Sequence, residues 1–129
     1  MSELYTSKRL NQHLTAIRDI TGVRCILAEG ERRALLIDTG VGIGDLAEFV
    51  AGLTTLPLTV WCTHGHMDHV GGASQFEKVY LPIKDFALAE ICTVEVRMNY
   101  AKAVLKDQYN LSDGDYLPSR ENGYLPLDD

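Results

Sequence analysis

Between residues 12 and 37 the apolar and β-branched positions come in short runs separated by glycine and charge. Residues 12–20 and 23–28, the latter reading VRCILA, are split by Thr21-Gly22, and Glu29-Gly30-Glu31 separates the second run from 33–37. The pattern predicts a meander of three strands. After a glycine-rich turn over 38–44 the period changes, with Leu46, Phe49, Val50 and Leu53 at i, i+3, i+4 and i+7 and Asp45 at the end where a helix dipole favours an anion. That spacing predicts a helix of about ten residues, broken off by Pro57. Residues 58–62 form a continuous apolar run of the kind found in buried, parallel strands. Further on, a short helix is predicted over 70–76, a short strand over 78–81, and a helix opened by Pro82 that carries Ile83, Phe86, Ala87 and Ile91. A longer helix over 93–109 carries Val94, Met98, Ala101 and Leu105 on one stripe, with Val96, Tyr100 and Val104 beside it. Residues 110–129 are rich in Asp, Gly, Pro, Ser and Asn, hold no periodic segment and predict a loop.

Composition narrows the class. With 129 residues, 46% of them hydrophobic and 23% charged, the chain is one domain at most and can bury an ordinary core. No stretch approaches the roughly 18 apolar residues of a membrane span, and the start, Met1-Ser2-Glu3-Leu4-Tyr5, lacks the apolar centre of a signal peptide. A soluble, cytoplasmic protein is expected. The net charge of −6 and the absence of a basic run argue against nucleic acid as a partner. Cys25, Cys62 and Cys92 are odd in number and far apart, so buried thiols in a reducing compartment are expected rather than disulfides.

The chemistry concentrates in CTHGHMDHVGG, residues 62–72, which packs three of the four histidines and an aspartate between His64 and His69. Imidazole and carboxylate are the side chains that hold Zn²⁺ or similar metals at about 2 Å, and a loop can turn several of them toward one pocket. The stretch begins just past the end of a predicted strand, where α/β sheets place ligands. His64, His66, Asp68 and His69 are therefore the candidate metal ligands, for one ion or two, with a shared water acidified enough to supply hydroxide near neutral pH. Zinc is the expected metal, with iron or manganese as alternatives. His13 is read as a strand-face residue, and Cys62, two positions before His64, as an inert buried thiol. Ser74 has no identifiable orienting partner, and Gly40-x-Gly42-x-Gly44 lacks the spacing of a dinucleotide fingerprint.

THGHMDHVGG, preceded by Leu36-Ile37-Asp38-Thr39-Gly40, a helix and the strand 58–62 in that order, resembles the His-x-His-x-Asp-His signature of the metallo-β-lactamase superfamily over roughly residues 13–90. The resemblance implies an α/β (α+β) fold, half of an αββα sandwich, with a mixed sheet and helices on its outer face. It implies that His64 and His66 hold one metal and Asp68 and His69 the other, with Asp68 also the catalytic residue and Asp38 bracing the motif from behind. The implied activity is hydrolysis of a small-molecule substrate by metal-bound hydroxide. Family members complete the site with later histidines and a bridging aspartate, whereas this sequence has no histidine after His69. It is therefore expected to be an N-terminal half-domain over 1–109 with a loop-rich tail over 110–129, incomplete or weakly active alone. A complementing C-terminal half or a second copy in a homodimer is the expected partner, covering apolar side chains such as Leu36 and Val60, with Ile26 and Leu35 as further candidates. The competing expectation is a non-catalytic, metal-binding or self-associating half-domain.

Overall fold

The three predicted strands of the meander form as β2 (Leu14–Asp19), β3 (Arg24–Glu29) and β4 (Ala34–Ile37), but a fourth precedes them. In the computed structural model, which describes residues 4–106, 109 and 111–127, β1 (Tyr5–Arg9) pairs antiparallel with β2, Tyr5 opposite Asp19. Only Tyr5 of this edge strand is buried, its hydroxyl donating to the Ile43 carbonyl at 2.5 Å and its ring 5.5 Å from that of Phe49. The rest is polar, as suits an edge exposed to water. Residues 1–3 of the chain start, 107 and 108 of the helix expected to reach Tyr109, and 110, 128 and 129 of the expected loop lie outside the described residues.

From β4 onward the pairing turns parallel, through β5 (Leu58–Trp61), β6 (Val79–Pro82) and β7 (Leu125–Leu127), giving a mixed seven-stranded sheet in simple sequence order. Parallel neighbours require crossovers. The first is α1 (Leu46–Ala51), capped by the Asp45 carboxylate on the Glu48 N–H at 2.9 Å. The helix spans six residues rather than about ten, ending at Gly52. The second crossover holds α2 (Met67–Val70) and a 3₁₀ turn over Ala73–Gln75 in place of one helix over 70–76. The third holds a 3₁₀ turn over Ile83–Asp85, α3 (Phe86–Glu90) and α4 (Val94–Leu105).

Burial alternates along the strands, and the register joins the buried positions into one row, Thr15, Leu27, Leu36, Val60 and Val79. Helices α1 and α2 cover this face through Leu46, Val50 and Val70. The expectation that Leu36 and Val60 face water is thus overturned, since they are 0% and 2% exposed. The opposite face carries the row Ala16, Ile26, Ile37, Trp61, Tyr80 and Leu125, with Leu35 alongside, and none of these belongs to a hydrophobic cluster.

A second cluster forms where α4 packs on the glycine-rich turn, joining Ala101 and Leu105 to Val41, Ile43 and Tyr116, with Val94 and Met98 against it. The predicted stripe of α4 is the one that packs. Val96 and Val104 beside it stay exposed, whereas Arg97 is fully buried. Its guanidinium donates to the carbonyls of Val41 at 3.1 Å and Leu117 at 2.5 Å. Residues 111–127 are therefore anchored, and the expected loop contains a 3₁₀ turn over Asp113–Asp115 and ends in β7.

Candidate metal centre

Strand β5, paired on both sides, delivers the motif past its C-terminal end, and Cys62 extends its pairing by one bond, N–H to the Tyr80 carbonyl at 2.8 Å. His66 then starts α2 from an extended backbone, so Asp68 and His69 lie on a helical turn rather than on a loop. The N–H groups of His69 and Val70 both return to the His66 carbonyl, at 2.9 and 3.1 Å.

The end of β4 braces this turn. Asp38 adopts φ +70°, a left-handed conformation that Asp tolerates better than most residues. The N–H and hydroxyl of Thr39 both donate to the His69 carbonyl at 2.8 Å. The two segments then touch backbone to backbone: Gly71 donates to the Gly40 carbonyl at 2.9 Å, and a Cβ on Gly71 would lie 2.2 Å from the Val41 oxygen. Only glycine fits there.

Asp38 Oδ1 accepts from the Thr63 N–H at 2.8 Å, and the Thr63 hydroxyl lies 3.0 Å from both carboxylate oxygens. A carboxylate only accepts, so the single hydroxyl proton of Thr63 goes to Asp38 and its oxygen receives Nδ1–H of His64 at 2.9 Å. His64 then keeps its lone pair on Nε2. Asp38 Oδ2 is also 2.9 Å from Nδ1 of His69, though out of line for a hydrogen bond. Nε2 of His69 lies 3.6 Å from Asp68 Oδ2.

His64, Asp68 and His69 thus offer ligand atoms within 4.8 Å of one another, all three half-buried. Two imidazoles and a carboxylate are a donor set that zinc and related divalent metals accept. His66 is exposed and stands outside this group, its ring 4.9 Å from that of His64 and edge-on to it. His13 is far from the motif in the fold, in the turn before β2, with Nδ1 3.0 Å from the Glu29 carbonyl.

The cysteines sit under the motif rather than in it. Cys62 is fully buried with Sγ 3.5 Å from the His69 carbonyl, and burial, with the nearby Asp38 charge, pushes its thiol up to about 12. Burial likewise raises the Cys25 and Cys92 thiols. All three are buried free thiols. Sequence reasoning passed over Thr63, Thr39 and Arg97. The first directly precedes His64, which is the one local signal available.

The comparison with known families agrees with this arrangement. The Metallo-beta-lactamase superfamily matches residues 18–82, just over half of the chain, from the end of β2 through β6 and including Asp38 and the whole motif. The acyl-coenzyme A thioesterase MBLAC2 of Gallus gallus is 39% identical over 62 residues, an alignment covering 41% of this chain and 22% of that protein. The chain thus spans about a fifth of the length of this relative. With a mixed sheet that delivers His64, Asp68 and His69 from one strand end, and a matched span that holds them all, this chain belongs to the metallo-beta-lactamase superfamily.

Proposed function

We propose that this chain is the metal-holding part of a zinc-dependent hydrolase whose substrates are acyl thioesters. The observation that supports it is the convergence of His64, Asp68 and His69, with the far side of the His64 ring held by Thr63 and Asp38. Zn²⁺ suits the donor set, and iron or manganese would be the alternatives. When bound, such an ion polarises a carbonyl and lowers the pKa of a coordinated water. The chain's own residues hold and orient: His64, Asp68 and His69 supply donors, and His66 beside His64 is a further one from solvent. Asp68 is half-buried, so its carboxylate can both hold the ion and take a proton from an attacking water. The thioester class follows from the relative, itself an acyl-coenzyme A thioesterase.

Catalysis in this reading needs a second body across the open sheet face, either another copy of the chain or a complementing C-terminal half. Two histidines and a carboxylate leave an ion with open positions, and loose positioning costs orders of magnitude in rate. The cytoplasm suits three buried free thiols, and no helix among the described residues is long and apolar enough to cross a membrane.

Calorimetric titration with Zn²⁺ tests the reading, comparing the wild type with a His64→Ala, His66→Ala double variant. Heat from the wild type alone is expected, and equal, negligible heats would overturn it. Hydrolysis of an acyl thioester by the zinc-loaded chain should be slow and should rise when the matching C-terminal half is supplied in trans. Metal binding with no hydrolysis in either case would favour a non-catalytic metal-binding module.

A further inference from the structure

Gly65 separates His64 from His66 and is buried, although the residues on either side of it are not. Its N–H donates to Asp85 Oδ2 at 2.9 Å, and its carbonyl receives the Cys92 thiol at 3.1 Å. Both partners come from one segment, the 3₁₀ turn over Ile83–Asp85 with α3 and the residues that follow it. The approach is close: a Cβ on Gly65 would lie 2.7 Å from the Asp85 carbonyl oxygen and 3.0 Å from the Ala89 nitrogen.

The N–H of Gly65 belongs to the peptide that joins it to His64, and its carbonyl to the peptide that joins it to His66. Holding both groups restrains both peptide planes, from each of which a single backbone torsion, ψ of His64 or φ of His66, leads to the Cα–Cβ bond that carries the imidazole. Thr63 pins the His64 ring from one side, but no hydrogen bond of the His66 side chain is found among the described residues, so the backbone is what orients it. We infer that Asp85 and Cys92 form a clasp on Gly65 that sets the angle between His64 and His66, making both of them positioning residues for the metal. This inference rests on the metal-holding role proposed above.

Partners that orient ligands without touching the metal typically change its affinity about tenfold or more. Dissociation constants for Zn²⁺ measured by competition with a chromophoric chelator should therefore rise about tenfold for Asp85→Ala. Asp85→Asn keeps an oxygen acceptor for the Gly65 N–H and should stay near the wild type. Cys92→Ala should weaken binding, and Cys92→Ser, which keeps a donor, should restore it. The serine rescue keeps the test open if Asp85→Ala fails to fold. Hydrogen exchange of the Gly65 amide in the metal-free protein reports the clasp independently, and it should quicken in Asp85→Ala but not in Asp85→Asn. Wild-type affinity in folded Asp85→Ala and Cys92→Ala variants would overturn the clasp while leaving the metal site standing. A wild type that binds no Zn²⁺ would overturn the metal role itself, with Gly65 exchange still showing whether the hydrogen bonds exist.

Discussion

Thr63 has one proton to give, and where it goes decides which nitrogen of His64 is free. Asp38 accepts the hydrogen bond made by that proton, so the Thr63 oxygen receives Nδ1–H of His64 and the His64 lone pair is left on Nε2. Thr63→Val removes both bonds and should weaken Zn²⁺ about tenfold, whereas Thr63→Ser keeps the hydroxyl and should not. The chelator competition that reads the Gly65 variants measures this too. Cys62 carries a different prediction. An unfolded thiol ionises near its ordinary value, but the native Cys62 thiol is held up to about 12, chiefly by burial. Between those values the native state binds more protons than the unfolded one, so stability falls as pH rises, by up to about 1.4 kcal/mol per pH unit from this thiol. Denaturant unfolding from pH 9 upward should show a steeper loss for the wild type than for Cys62→Ala. Equal slopes would mean that the thiol ionises in place.

At the scale of elements, the segment 111–127 is bound to the body by arginine. Arg120 donates to the carbonyls of Ala73 at 3.1 Å and Glu77 at 2.7 Å, and also to those of Phe76 and Gly123, while its guanidinium stacks 5.5 Å from the Tyr124 ring. These bonds satisfy carbonyls at the end of the second crossover and hold β7 in line with β6. Hydrogen bonds from a charged donor contribute more than neutral ones, so Arg120→Ala should destabilise the fold by about 2 kcal/mol. Hydrogen exchange should quicken first at Leu125 and Leu127. A loss spread evenly over the sheet would mean that β7 does not depend on this anchor. Arg97 plays the same part at the other end, tying Val41 and Leu117 to α4, with its Nε unpaired among the described residues.

For the whole molecule, the feature that bears on association is the open face of the sheet. Ile26, Leu35, Ile37, Trp61 and Tyr80 lie on one side of the strands, and among the described residues none of them joins a hydrophobic cluster with a helix. Trp61, the single tryptophan, sits in the middle of this row at 42% exposure and contacts the Tyr80 ring edge-on at 6.4 Å. Stable pairs bury about 800 Å² per partner, and an apolar row of this kind is suited to the centre of such a contact. A two-fold dimer of the 14.3 kDa chain is the expected state at micromolar concentration, read by light scattering after size exclusion. Dilution should shift Trp61 emission to the red, and Ile37→Lys should yield a monomer. A wild-type monomer with concentration-independent emission would show that the face tolerates water.

The sequence by itself determined what depends on near neighbours. Alternation and chain breaks predicted β2 to β6, the Asp45 cap located the start of α1, and the spacing of Val94, Met98, Ala101 and Leu105 identified the packed stripe of α4. The crowding of histidines between 64 and 69 marked the candidate metal site, because few other chemistries ask for it. Contacts across long stretches of chain were left to the tertiary structure. β1 and β7 are strands because a partner strand lies alongside, and their polar or proline-containing sequences hold little preference of their own. Alternation says that Leu35 and Leu36 point opposite ways, but only the helices that cross the sheet decide which of the two is buried. Likewise Asp38 reaches Thr63, Asp85 reaches Gly65 and Arg97 reaches Val41 over 25, 20 and 56 positions, so the hydrogen bonds that orient the motif exist only once the chain has closed on itself.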